Sequence, residues 1–169
     1  MKTYYHFTSD KLSNGEPIPP IGEWLHFTGK LEMCNAGLHA SEHPFDALQY
    51  APGPMLHRVE LSGAIINGDD KVVSERRKIV ATIDATDLLR NFARKQALSV
   101  IHLWEAPQVV KDYLTTGDES LRDAARAAAW TAAWDAARGA VEAAARAAAW
   151  AAARKMFAEM VGETFVANE

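Results

Sequence analysis

Between Asp123 and Ala153 the chain places 19 of its 31 alanines, and this stretch constrains the fold more than any other. Alanine enters a helix without losing rotamer freedom, so the segment is helical in almost any context. Ser120-Leu121-Arg122-Asp123 precedes it as a capping box, a serine and a carboxylate spaced to cover orphan backbone donors. The unit Ala-Ala-Arg-Ala-Ala-Ala-Trp occurs at 124–130 and again at 144–150, too short to be a solenoid repeat. One helix over 121–162 would run about 60 Å at about 1.5 Å per residue, too long for a compact monomer of 169 residues. Either Gly139 breaks it into a hairpin, or a second copy of the chain covers the rod as a homodimer. Trp130, Trp134 and Val141 share one narrow sector of such a helix, and Trp150, Phe157 and Val161 another. Trp130 and Trp134 serve either as packing anchors or as a partner-binding stripe.

The residues before this stretch follow a different pattern, that of an α+β domain over 1–83 with a small mixed or antiparallel sheet. Tyr4–Thr8 is a short aromatic and β-branched run, as strands favour. Pro44 opens a short helix to Tyr50, capped by Ser41 or His43 and ended by Pro52-Gly53-Pro54. Leu56–Leu61 alternates apolar and polar residues as a half-buried strand does. Ala64–Ile66 and Lys78–Ile83 are two further short strands, with a turn at Asn67-Gly68-Asp69-Asp70 between them. From 84 to 169 the chain is helical: a run after Thr86, a second over Ala97–Trp104, a third opened by Pro107, then the alanine-rich helix or hairpin at about 120–162.

Charge and composition narrow the function. The chain carries 18 basic and 22 acidic residues, and neither part is basic. An extended nucleic-acid surface driven by counterion release is therefore not expected. No apolar run approaches the roughly 20 residues of a membrane span, and the first residues form no apolar signal core, so a cytoplasmic protein is expected. Arg76-Arg77-Lys78 is a solvated edge or a small phosphate-binding patch for a dinucleotide or an RNA end.

Chemistry concentrates in the first half, where five of six histidines precede residue 58. Cys34, the single cysteine, stands with His39 and His43 within ten residues, a ligand set zinc accepts. Their spacing matches no zinc signature, and Pro44 disfavours helical geometry at His43, so no metal is expected. Two other motifs are more informative: Tyr5-His6-Phe7-Thr8-Ser9, and Gly37-Leu38-His39-Ala40-Ser41 leading into Asp46-Ala47-Leu48-Gln49-Tyr50.

In this order the two motifs resemble the ADP-ribosyltransferase fold, in its branch with a His–Tyr–Glu active site. His6 and Thr8 match the first motif; Gly37, Leu38, Ser41, Ala47 and Tyr50 match the second. His39 stands where that family carries its nicotinamide-stacking tyrosine. The resemblance implies NAD as cofactor, with His6 and Thr8 on the ribose, His39 stacked on the nicotinamide, and Ser41 and Tyr50 shaping the pocket. It also implies a glutamate, for which Glu60, Glu75 and Glu105 are the candidates, and Glu105 is carried forward as the catalytic one. Over most of its length the chain is also similar to phage and prophage proteins with the same order of motifs and a helical tail rich in Ala, Arg and Trp. The expected function is thus ADP-ribosyl transfer to a host macromolecule in the host cytoplasm, or binding of an NAD-type nucleotide to act on one, in an anti-defence role. The alternative is a non-enzymatic inhibitor whose helical module occludes a host defence or nucleic-acid-processing complex.

Overall fold

The alternating residues after Pro54 extend well past the short runs visible in the sequence. β4 (Met55–Asn67) and β5 (Val72–Asp84) form one long antiparallel hairpin. In the computed structural model, residues 2–136 and 143–168 are described, with 131–136 and 143–148 described by backbone alone. Leu56–Leu61 and Ala64–Ile66 belong to a single strand, because a bulge lies between them. The register shifts between Ser62 and Ile65, and Gly63 takes a φ of +80° there. The Glu75 carboxylate accepts the Ala64 N–H at 3.0 Å across this bulge. A Cβ on Gly63 would sit 2.5 Å from that carboxylate, so the bulge needs glycine.

The remaining strands are short and antiparallel. β1 (Tyr4–Thr8) pairs with β4, while β2 (Trp24–His26) and β3 (Leu38–Ala40) both pair with β5. The sheet runs β1-β4-β5-β2, with β3 also on β5. Of the two arrangements open from sequence, the sheet is antiparallel. Just beyond β3 the chain returns to its start: Tyr5 and Ser41 exchange both backbone hydrogen bonds, at 2.8 and 2.9 Å. The path β1-β4-β5-β3 therefore closes on β1. Helix α1 (Pro44–Leu48) follows, with Pro44 in its first turn and His43 as its cap, the Nδ1 accepting the Phe45 N–H at 3.2 Å.

Tyr4, Ala40, Val59, Val72 and Ile79 form a buried core cluster, with Ile18 and Leu61 packed against it. The chain divides into two compact units, one of 1–88 together with 156–169, the other of 89–155. The sequence division at 83/84 lies close to the first boundary, but it assigns 156–169 to the helical part. The reason for the difference is a run of apolar residues at helical spacing in the second half of α5 (Ala143–Ala167). Phe157 and Val161 are fully buried, Met160 and Phe165 nearly so. Phe157 meets Phe45 edge-on at 6.0 Å, and the Arg58 guanidinium lies 4.5 Å from the centre of the Phe165 ring.

Every described secondary-structure element of the second unit is helical. α2 (Thr86–Ser99) enters it and is followed by a 3-10 turn at Ile101–Leu103, so the apolar run to Trp104 is only partly α-helical. α3 (Gln108–Thr116) starts after Pro107 and ends at Gly117, whose φ of 70° lets its N–H reach the Tyr113 carbonyl at 2.8 Å. Asp118, rather than Ser120, does the capping: it accepts the Ser120 N–H at 2.9 Å and starts the 3-10 turn that leads into α4 (Arg122–Ala136). Gly139 and Val141, on which the hairpin and the shared sector rest, lie outside the described residues. Among the described residues no helix is long and apolar enough to cross a membrane.

Candidate functional site

Closure of β3 onto β1 has a direct chemical result. It brings two motifs, some thirty residues apart in sequence, to one place in the first unit. Two adjoining cavities open there, of about 200 Å³ and about 500 Å³. They share His6, Phe7, His39 and Tyr50. Ser41 and Cys34 line the smaller, and Thr8, Lys11 and Arg77 the larger. Cavities of this size suit a small organic ligand.

Strand register sets the polar groups. His6 faces His57 across β1 and β4, and His57 faces Thr82 across β4 and β5. The His6 and His57 rings are stacked at 6.4 Å. His57 is fully buried and bonded at both nitrogens, with Thr8 Oγ1 2.8 Å from Nε2 and Thr82 Oγ1 2.8 Å from Nδ1. The Thr8 hydroxyl already donates to the Ser9 carbonyl at 3.0 Å. A neutral His57 donates to one of these threonine hydroxyls and accepts from the other. A neutral imidazole satisfies this network. Burial, reinforced by the Arg77 charge, lowers the His57 pKa to about 4. Burial also pushes His6 well below 6.5, with Arg77, His57 and His39 acting in the same direction.

His39 is held differently. Its Nε2 accepts the Cys34 N–H at 3.1 Å, and Cys34 adopts a left-handed φ of 67° that aims this N–H at the ring. Burial lowers the His39 pKa, while a hydrogen bond to the Gly37 backbone opposes the shift. Nε2 thus serves the local backbone, and the ring lines both cavities. Gly37 supports the turn with a φ of +120°, and a Cβ there would overlap Val73 and Leu31. At the rim, the Lys71 ammonium lies 4.0 Å from the centre of the Tyr50 ring, and the Tyr50 hydroxyl donates to Asp70. That bond raises the Tyr50 pKa, and the Cys34 side chain raises that of Lys71.

The sequence-derived residues fall as follows. His6, His39 and Tyr50 meet around the cleft, with Ser41 lining its smaller part. Thr8 lines the larger part, but its hydroxyl is engaged by His57 and Ser9. Glu60 pairs with Lys78 at 2.6 Å, and Glu75 holds the bulge. Glu105 is exposed and lines a separate cavity of the second unit, beside Trp104 and Lys111. Among the described residues lining the cleft there is no Asp or Glu. His39 and His43 each accept a local backbone N–H at one ring nitrogen, the Cys34 side chain meets Lys71, and among the described residues no group of three acids, histidines or cysteines is arranged to hold a metal ion. Trp130 is 70% exposed; the Trp134 side chain lies outside the described ones. The run Arg76-Arg77-Lys78 is no contiguous patch: Arg76 is exposed, Lys78 pairs with Glu60, and Arg77 is buried at the cleft.

His57, Lys71 and Arg77 were not picked out as cleft residues from sequence. For Arg77 a signal exists: it stands two residues before Ile79, on the inward phase of the strand. His57 and Lys71 depend on register and on the hairpin tip, which sequence spacing leaves open. No curated protein and no solved structure matches the chain. Residues 1–91 match the family described as a domain of unknown function, DUF7666, and every residue lining the cleft lies within them. Since that match spans more than half of the 169 residues, the chain belongs to the DUF7666 family.

Proposed function

We propose that the first unit binds an NAD-type dinucleotide in the cleft where β3 closes on β1. The observation that carries this reading is the meeting of His6, His39, Ser41 and Tyr50, from two separate motifs, around one pair of cavities. His39 offers a ring fixed by its Nε2 bond to the Cys34 backbone and lining both cavities, which suits it to stacking on a planar heterocycle. His6 is kept neutral beside it, able to donate or accept one hydrogen bond to a ribose hydroxyl. ADP-ribosyl transfer to a host macromolecule, as a phage anti-defence activity, further needs a carboxylate at the nicotinamide ribose.

Calorimetric titration of NAD into the full chain tests the binding. His39→Ala should weaken it by about tenfold, the scale of one lost aromatic contact, and His39→Tyr should restore most of it. Absence of saturable NAD binding to the wild-type chain overturns the reading. Transfer is read separately, as label passed from NAD to a lysate protein and lost in His6→Ala. A second reading, partner docking by the helical unit, is favoured by the exposure of Trp130. It predicts that Trp130→Ala abolishes biological activity while leaving NAD binding unchanged.

A further inference from the structure

Arg77 is 6% exposed, lines the larger cavity, and forms no ion pair among the described residues. One terminal nitrogen donates to the His39 carbonyl, and the buried Nε has no hydrogen-bond partner. Glu60 on the adjoining β4 and Glu75 on β5 itself are engaged elsewhere, with Lys78 and with the Ala64 N–H. A buried guanidinium without a counter-ion is costly, and its planar fork of donors is the side chain best matched to an oxyanion. The surrounding imidazoles do not compete for that role. His57 is locked neutral between two threonines, and His6 and His39 are held toward their neutral forms.

We propose that Arg77 holds a phosphate or pyrophosphate group of the ligand in the larger cavity, with exposed Lys11 at its rim contributing a second charge. The proposal rests on the dinucleotide reading and deepens it by naming what the larger cavity takes. Placement of the charge fits the stacking surface: Arg77 bonds the backbone of His39, so a heterocycle on that ring leaves its phosphates beside the guanidinium. A phosphate also presents more oxygens than a carboxylate, enough for Arg77 and Lys11 together.

The test uses inorganic pyrophosphate and the full chain, by calorimetry with a parallel thermal melt of each variant. Pyrophosphate should bind the wild type, and Arg77→Met should weaken it by about tenfold or more, with a smaller loss in Arg77→Lys. Lys11→Ala, at an exposed position, should weaken it by about threefold and reduce its salt dependence. In the wild type, binding should also move the His6 and His57 ring resonances and raise their titration midpoints, because an anion offsets the Arg77 charge; this arm needs no variant to fold. Three results overturn the proposal: no pyrophosphate binding to the wild type, equal binding to a folded Arg77→Met chain, or citrate binding as tightly as pyrophosphate. The two proposals fail separately. Arg77-dependent pyrophosphate binding with no NAD binding leaves the anion site standing and removes the dinucleotide reading; NAD binding undiminished in Arg77→Met does the reverse.

Discussion

A single buried imidazole links the site to the stability of its fold. His57 is fully buried and neutral, with a pKa of about 4 against about 6.5 for a free histidine. Between those values the unfolded chain binds a proton that the folded chain does not, so stability falls as pH drops from about 6.5 to 4. The loss from this group is on the order of 3 kcal/mol, complete below about pH 4. Urea midpoints measured across that range should show the decline, and a flat profile would contradict a buried, uncharged His57. Gly37 makes a second prediction. With a φ of +120° and no room for a Cβ, Gly37→Ala should cost about 1–3 kcal/mol and lower the melting temperature. His6 and His39 were legible from sequence because each sits in a local motif. His57 was not singled out, and Arg77 was noted only within the basic run Arg76-Arg77-Lys78, since their places at the cleft arise from cross-strand register and from the bulges that shift it.

Elements show the same division between local and distant information. The β4–β5 turn was legible because Asn67-Gly68 is a local signal, and β1 because four of its five residues are strand formers. β4 reads as two strands in the sequence because the Gly63 bulge interrupts its alternation while its pairing continues. β2 and β3, three residues each, carry too little pattern to detect before their partner β5 is known. The second half of α5 is the largest difference: its apolar residues were visible, but their partner, the surface around Phe45, lies more than a hundred residues earlier. Phe157→Ala should therefore destabilise the sheet unit by about 3–5 kcal/mol, as expected for a fully buried phenylalanine. A fragment of residues 1–91 should lack a cooperative melt, because Phe157, Val161 and Phe165 would be missing from its core. A sharp transition in that fragment would show that the α5 contacts are dispensable.

At the scale of the whole chain, the alanine-rich stretch marks one compact unit, and the histidine-rich stretch marks the other. The sequence division places chemistry in the first and partner contacts in the second. The sheet unit carries the cleft and, with the C-terminal half of α5, its own core. Substitutions on α4, such as Trp130→Ala, should leave ligand binding unchanged, which the same calorimetric assay reads. The central claim is that closure of β3 on β1 builds a dinucleotide site in which His39 supplies the stacking face and Arg77 the charge. Its most direct test is titration of NAD into the wild-type chain, His39→Ala and Arg77→Met under identical conditions. One saturable site per chain, weakened by about tenfold or more in each variant, is the predicted result; no saturable binding to the wild type, or equal affinity in all three, would contradict it.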